Sequence, residues 1–138
     1  MKMRQQAVEV APRGRGLHDV TAEVRRAVAS SGVQTGMCNI FLRHTSASLL
    51  IQENADGAVL RDLQRFFDRL APESADYEHD AEGPDDMPSH LRAAMTRTAE
   101  TVPISGGELA LGTWQAIYLW EHRRAPHQRV LVVTVWGE

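Results

Sequence analysis

The sequence predicts a single-domain α+β fold for residues 1–138, with mostly antiparallel strands and two principal helices. The length suits one domain, and no internal repeat, low-complexity tract or linker interrupts it. Apolar residues recur at helical spacing in two long segments, while seven shorter stretches are rich in β-branched and apolar residues. Because turn residues separate many of these stretches, antiparallel pairing is favoured.

The N-terminal part predicts one strand and one helix. Residues Arg4–Val10 alternate loosely and stop before a proline, which predicts a strand followed by a Gly/Arg turn at 13–16. Asp19 or Thr21 is the expected N-cap of a helix that ends at residues 30–32. The apolar residues of this helix recur at spacings of three and four: Val20, Val24, Ala27 and Val28.

The strongest helix prediction covers residues 56–70, where apolar side chains occupy one helical face and charged side chains the other. Asp56 is the expected N-cap, and Pro72 stops the helix. Upstream, residues 33–51 predict two strands that meet near residues 44–46, since the Thr and Ser there disfavour a continuous helix.

The C-terminal half is predicted to be mainly strand. A short helix around residues 87–97, with Pro88 in its first turn, comes first. The strands that follow are predicted at residues 100–104, 108–111, 113–122 and 129–135. Along residues 113–122 both alternating faces carry apolar side chains, so both are expected to be buried.

Composition excludes several classes of protein. Cys38 is the only cysteine, so no intrachain disulfide is possible. No apolar run approaches the ~20 residues of a membrane span, and the N-terminus lacks an apolar signal core. A net charge of −3 provides no basic field for nucleic acid. A soluble cytoplasmic protein without membrane or nucleic-acid partners is therefore expected.

Residues 77–90 contain the highest concentration of possible metal-ligand and acid/base side chains in the chain. This segment holds two histidines and five carboxylates in fourteen residues, and no helical or strand periodicity explains it. Asp80, Glu82, Asp85 and Asp86 supply the oxygen ligands that magnesium prefers. A solvated acidic loop is the alternative interpretation of the same pattern.

Four histidines form a second pattern. His44 and His122 are expected at or near strand ends, and His79 and His90 lie on the acidic segment. Histidines drawn from separate regions can build a zinc-type site after folding, although their spacing matches no short metal-binding motif. Each of them could instead be a hydrogen-bonded structural residue.

Further candidates lie near the predicted strand ends. Glu53 and Asp56 offer a second group of carboxylates, for which turn formation and helix capping are the structural alternatives. The hydroxyls of Thr45 and Ser46 could bind phosphate oxygens, but no GxSxG turn accompanies them, so serine-hydrolase chemistry is not expected. Trp114 lies beside a predicted bend, where it could form one wall of a site for a ring-shaped ligand or could be a core residue.

Several segments together resemble the YjbQ-like family, in the right order and over nearly the whole chain. They are residues 38–48 (CNIFLRHTSAS), 53–56 (ENAD), 77–80 (YEHD), 82–90 (EGPDDMPSH), 111–115 (LGTWQ), 121–123 (EHR) and 133–138 (VTVWGE). The resemblance implies an α+β fold containing a sandwich of strands, assembled as a homotrimer. It also implies a secondary thiamine-phosphate synthase activity, which joins a pyrimidine methyl diphosphate to a thiazole phosphate and releases pyrophosphate.

The implied reaction assigns hypothetical roles to the candidates. Departure of pyrophosphate leaves a cationic carbon, so magnesium and positive donors should face the diphosphate. Three sets of residues follow: His44, Asp85, Asp86 and His90 in catalysis; Thr45, Ser46, Trp114, Gln115 and Arg123 in substrate binding; His79, His90, His122, Glu53 and Asp56 as metal ligands. Zinc or another transition metal is the alternative at the histidines.

Two classes of function remain open from the sequence. One is a metal-dependent enzyme acting on a small phosphorylated molecule, and the other is a noncatalytic metal- or phosphate-ligand-binding homotrimer. The carboxylates beside the histidines favour the enzyme, because the buried centre of an interface usually lacks charged residues.

Overall fold

The computed structural model describes residues 1–138 and contains eight strands and three helices. The strands are β1 (Lys2–Val10), β2 (Gly16–Asp19), β3 (Gly36–Leu42), β4 (Ala47–Glu53), β5 (Ala99–Ser105), β6 (Glu108–Leu109), β7 (Gln115–Glu121) and β8 (Arg129–Gly137). The helices are α1 (Thr21–Ser31), α2 (Gly57–Leu70) and α3 (Asp86–Met95). No helix is both long and apolar enough to cross a membrane.

The strands form two antiparallel sheets that face each other across one core. The larger sheet has the order β1-β8-β3-β5-β6, and the smaller has the order β2-β7-β4. Alternate residues of β3 and β8, such as Ile40 and Val133, meet Leu49 of β4 and Leu119 of β7, and all four are fully buried. The predicted α+β sandwich of mostly antiparallel strands is therefore confirmed.

Strand β2 was not predicted from the sequence. Gly16 was placed in a turn, yet residues Gly16–Asp19 pair with Asp19 opposite Tyr118 and Gly16 opposite Glu121. A four-residue strand has little periodicity of its own, so pairing with β7 decides its conformation. The structure thus adds an edge strand to the smaller sheet.

Helix α1 ends where the sequence predicts, but its start differs. Gly32 adopts a left-handed conformation (φ 71°) after the last turn, as expected for a C-terminal glycine. At the start, Val20 is the N-cap and has no capping side chain. Thr21 Oγ1 accepts a hydrogen bond from the Ile117 amide (2.9 Å), and the Thr21 amide donates to Asp19 Oδ1 (2.9 Å). Neither predicted residue is therefore the N-cap, although Asp19 accepts the first free amide of the helix.

Helix α2 confirms the strongest prediction, including its cap. Asp56 Oδ1 accepts a hydrogen bond from the Ala58 amide at 2.9 Å. Phe67 packs edge-on against Trp120, with ring centroids 5.0 Å apart. Gln64 Oε1 accepts the indole N–H of the same tryptophan at 2.8 Å, so Trp120 is a core residue, in agreement with the burial expected for residues 113–122. No residue of α2 is fully buried, because this helix covers only the outer face of the small sheet.

Helix α3 confirms the short helix predicted around residues 87–97 and spans Asp86–Met95. Residues 86–90 of the acidic segment are therefore helical, whereas that segment was interpreted as lacking helical periodicity. Pro88 lies in its first turn, as predicted, where its missing N–H costs nothing. The buried face of the helix carries polar side chains such as Ser89, so residues 86–90 show no apolar periodicity.

Strand β7 begins two residues later than predicted. Its residues from Ala116 to Glu121 are buried on both faces, which confirms the expected burial. Trp114, by contrast, lies outside the strand and is 62% exposed, so the core alternative left open for it is wrong. The pairing of β7 with β4 runs from Glu53 opposite Gln115 to Ala47 opposite Glu121. At ~3.3 Å per residue, the two ends of this pair are about 20 Å apart.

Candidate functional site

Two histidines and one carboxylate converge where α3 begins. Asp86 and His90 are four residues apart on α3 and therefore point to the same side of the helix. His79 reaches them from the preceding loop. Its Nε2 lies 2.6 Å from Asp86 Oδ2, and the Nε2 of His90 lies 3.3 Å from the same oxygen. One potential ligand atom from each of the three residues lies within 4.8 Å of the other two.

The ring of His90 is oriented by the backbone before β4. Its Nδ1 lies 2.8 Å from the carbonyl oxygen of Thr45. Only an N–H can donate to a carbonyl, so Nδ1 carries a proton. In the neutral ring the lone pair of Nε2 then faces Asp86, and in the charged ring Nε2–H faces it. A carbonyl that fixes the tautomer in this way is a common second partner of metal-binding histidines.

Arg123 holds Asp86 from the other side. Its Nη1 donates to Asp86 Oδ1 at 2.6 Å, its Nε donates to Asp85 Oδ1 at 3.2 Å, and its Nη2 donates to the Glu82 carbonyl at 2.9 Å. Burial acts to raise the pKa of Asp86, but the hydrogen bond from His79 and the charges of His90 and Arg123 outweigh it, and the pKa is lowered. Asp86 is therefore an anion that leaves Oδ2 directed at the histidines.

Asp85 has a supporting position rather than a place in the cluster. Its Oδ2 accepts the backbone N–H of Arg124 at 2.8 Å. Burial opposes ionisation, but this hydrogen bond and the charge of Arg123 keep the pKa of Asp85 below its usual value. Both oxygens of Asp85 thus connect α3 to the segment after β7.

The cluster fits the requirements of a divalent transition metal. Ligand atoms in a tetrahedral shell at about 2.0–2.2 Å from an ion lie about 3.3 Å apart. His90 and Asp86 already have this spacing, whereas His79 and Asp86, 2.6 Å apart, would have to separate slightly. Glu82 lies 3.3 Å from His79 Nε2 and could provide a fourth ligand. Nitrogen and oxygen donors in this number suit zinc better than magnesium, which prefers an all-oxygen octahedron.

His44 borders the cluster but does not enter it. Its Nε2 accepts the backbone N–H of Val130 at 2.9 Å, so Nδ1 carries the proton. Burial, followed by the charge of Arg129, lowers the pKa of His44, which favours the neutral ring. A recess of about 270 Å³ lies beside this histidine. Its lining residues are His44, Thr45, His90, Ala93, Ala94 and Thr98.

His122 does not reach the cluster. It is 2% exposed, and its Nε2 lies 2.9 Å from Ser48 Oγ. Burial and the nearby charges of Arg92, Arg15 and Arg129 lower the pKa of His122 to about 3. The ring is therefore neutral and packed against Trp120, with centroids 5.2 Å apart, which is the structural role left open by the sequence.

Four other candidates lie at the far end of the β4–β7 pair. Glu53 accepts the Ala55 amide at 2.9 Å, and Asp56 caps α2, so both have the local structural roles named as alternatives. Gln115 Oε1 accepts the Gly112 amide at 2.8 Å and closes the bend next to Trp114. Within one chain this end is about 20 Å from the start of β4, where Thr45 contacts His90.

Sequence reasoning missed a buried ion pair beside the site. Glu121 is 1% exposed, and its Oε1 accepts Arg129 Nε at 2.8 Å. Arg129 also donates to the Ser46 carbonyl at 3.3 Å, and Glu121 Oε2 accepts the Arg123 amide at 3.2 Å. The pair thus joins the segment before β4 to Arg123. No local pattern indicates it, because the two partners come from different strands.

The fold and the cluster together define an α+β sandwich protein with a candidate metal centre at one end of its smaller sheet. The family model described as UPF0047 protein YjbQ-like matches residues 6–138. The chain belongs to this family. A UPF0047 protein of Synechocystis sp. is 51% identical over 99% of this chain and 94% of its own length. The UPF0047 protein YjbQ of Escherichia coli O157:H7 is 42% identical over 97% of this chain and 98% of its own length.

Solved structures of similar proteins have the same architecture. A YbjQ-like protein from Sulfolobus solfataricus P2 superposes with a TM-score of 0.86 at 25% identity, covering 99% of both chains. A protein of the yjbq/upf0047 family from Clostridium acetobutylicum superposes with a TM-score of 0.83 at 34% identity, covering 96% of this chain and 99% of its own. The predicted YjbQ-like fold is therefore confirmed over the full chain.

Proposed function

We propose that this protein is a divalent-metal-dependent enzyme that acts on a small phosphorylated molecule. The thiamine-phosphate synthase reaction is the specific activity proposed, with a pyrimidine methyl diphosphate and a thiazole phosphate as substrates. The observation that carries the proposal is the convergence of His79, Asp86 and His90 on a small space that a divalent ion would fit. Three protein ligands with room for another are typical of a catalytic metal rather than a structural one.

A divalent ion held by the cluster would favour a phosphorylated substrate. When bound, a divalent cation would neutralise negative charge that develops on a departing diphosphate. Arg123 holds Asp86 with one Nη and thereby keeps the carboxylate ionised and aimed at the histidines. All three types of nitrogen on its guanidinium are already engaged, so in this proposal Arg123 positions Asp86 rather than binding phosphate.

The apolar recess beside the cluster supports a substrate with a ring or methyl group. His44 Nδ1–H is the hydrogen-bond donor that remains free on a ring whose Nε2 is occupied by Val130. Ala93 and Ala94 provide a small apolar surface in the same recess. A heterocycle seated there would lie next to His90 and within reach of one oriented donor.

A homotrimer is part of the same proposal. The apolar face of α2 leaves Phe66 49% and Leu70 50% exposed, and Trp114 is 62% exposed. Exposed apolar groups of this kind often mark an interface. A neighbouring subunit could bring its Trp114 end to the histidine cluster, which a single chain keeps about 20 Å away. Sedimentation equilibrium that yields a monomer at micromolar concentration would contradict the trimer.

The direct test is pyrophosphate release. Purified protein, stripped of metal and then reloaded separately with zinc, magnesium or manganese, is incubated with the two substrates. Metal-dependent formation of equal amounts of pyrophosphate and thiamine phosphate, lost in His79→Ala and retained in His127→Ala, supports the proposal. His127 is a suitable control because it is only partly buried and its ring bonds only the nearby Ala125 carbonyl. Stoichiometric metal without turnover would favour a noncatalytic metal-binding protein.

A further inference from the structure

A second polar site lies on the opposite side of α3 from the histidines. Arg92 is two positions beyond His90, which rotates its side chain by roughly 200° around the helix. Its side chain is 3% exposed. Arg15, from the turn before β2, and Arg124, from the segment after β7, approach the same place. Three guanidinium groups from distant parts of the chain therefore meet here.

Two carboxylates accompany these arginines but do not balance them. Asp68 pairs with Arg15 and accepts Arg92 Nη2 at 2.9 Å, and Glu73 accepts two bonds from Arg124. Three positive and two negative side chains leave one positive charge in excess. The cavity that these five residues line together with Pro72 has a volume of about 260 Å³.

The arginines also have more donors than partners. Arg92 Nε, Arg92 Nη1 and Arg15 Nε are all buried without a hydrogen-bond acceptor. Buried donors are normally paired, so three in one cluster indicate an acceptor that the chain does not supply. The Nδ1 of His122 is unpaired too, but even if it accepted one of these protons, two would remain.

We propose that this arginine cavity, lined by Arg15, Arg92 and Arg124, binds a phosphoryl group. A tetrahedral anion has enough oxygens to accept bonds from guanidinium groups that approach from different directions. A ligand with a carboxylate fits less well, because Asp68 and Glu73 already provide planar carboxylate acceptors to these arginines. The site is distinct from the metal cluster because α3 lies between them, and it does not depend on the proposed synthase reaction.

The test is calorimetric titration of inorganic phosphate into EDTA-treated protein at constant ionic strength. Saturable binding is expected, and Arg15→Gln should weaken it by about tenfold or more through loss of charge-assisted bonds. Arg15 is suitable because its side chain is 21% exposed, so the variant should fold even if a change at buried Arg92 does not. Arg69→Gln, an exposed change on α2 next to Asp68, is the matched control and should bind like the wild type.

Comparison of ligands and variants distinguishes the possible results of this titration. Methyl phosphate that binds as well as inorganic phosphate identifies the ligand as a phosphate monoester, whereas binding of inorganic phosphate alone identifies the free ion; both support the site. Absence of saturable binding, or equal affinity in Arg15→Gln and wild type, overturns the proposal. Loss of binding in His79→Gln with retention in Arg15→Gln also overturns it, because phosphate would then occupy the histidine cluster.

Discussion

His90 donates its Nδ1 proton to the Thr45 carbonyl, 2.8 Å away, and this bond joins helix α3 to the segment between the two sheets. In the neutral ring this bond leaves the Nε2 lone pair directed at Asp86. A histidine fixed in one tautomer is ready to bind a metal without reorganisation, which is the basis of the first prediction.

We expect His90→Ala and His79→Ala each to lower zinc affinity strongly. Changes to partners outside the ligand shell typically cost about 10–100-fold in metal affinity, so loss of a ligand should cost at least as much. Competition against a chromogenic chelator measures the effect, with His127→Ala as the control. Unchanged metal affinity in both variants would remove the cluster as a metal site.

Arg123→Gln should weaken metal binding although Arg123 is not a ligand. The variant removes the charge that helps keep Asp86 ionised and the bond that fixes its orientation, so we expect a loss of about 10–100-fold. The same competition assay applies, and Arg43→Gln, on the exposed side of β3's end, is the comparison. If Arg123→Gln bound zinc as tightly as wild type, the proposed positioning role would be wrong.

Asp56→Ala should lower the stability of the fold and leave the metal content unchanged. Asp56 caps α2, and loss of such a cap usually costs about 1 kcal/mol. Urea denaturation followed by circular dichroism measures this change, and metal content is measured on the same sample. A wild-type metal content would leave Asp56 with its capping role alone, whereas a metal-depleted variant would support its predicted role as a ligand.

Glu121→Gln is expected to be among the most destabilising polar substitutions. It leaves Arg129, 3% exposed, as a buried charge without its partner, which typically costs about 3–5 kcal/mol. Urea denaturation compares this variant with the exposed Glu108→Gln. A cost below about 1 kcal/mol would mean that water reaches Arg129 and that the pair is less buried than the structure indicates.

Stability should fall in acid partly through His122. Its pKa is about 3 in the folded protein and near 6.5 when unfolded, so the unfolded state binds the extra proton between these values. The contribution is fully present above pH 6.5 and decreases below it, by about 2 kcal/mol at pH 5. His122→Gln should flatten this dependence in urea titrations at several pH values, whereas His127→Gln should retain it. Parallel profiles for His122→Gln and wild type would contradict the assignment.

Local patterns were sufficient to predict much of the fold. Helix α2 and its Asp56 cap follow from apolar periodicity and one side-chain hydrogen bond, both of which are short-range. Four of the later strands begin or end within a few residues of their predicted positions, because turn residues bound them. The four-residue strand β2 was missed, since only its pairing with β7 stabilises it.

The candidate site was predicted in part. The acidic segment was recognised as rich in possible ligands, and a helix was predicted from residue 87 onward. Asp86 was left outside that helix, so its place on one helical face with His90 was not predicted. His44 and His122 were chosen for their residue type, but the structure places both outside the cluster. Nothing in the sequence near Thr45 indicates that its carbonyl orients His90.

The sequence by itself determined the α+β class, the family, the main helix and the segment that contains the histidine cluster, because these depend on periodicity, capping and linked motifs. Only the tertiary structure decided that His79 and His90 meet Asp86 while His122 is buried against Ser48. It also decided that Trp114 and Asp56 lie at the far end of the small sheet. The physical reason is that pairing between distant strands and burial between two sheets set the position of each side chain, and neither is encoded in a short stretch of sequence.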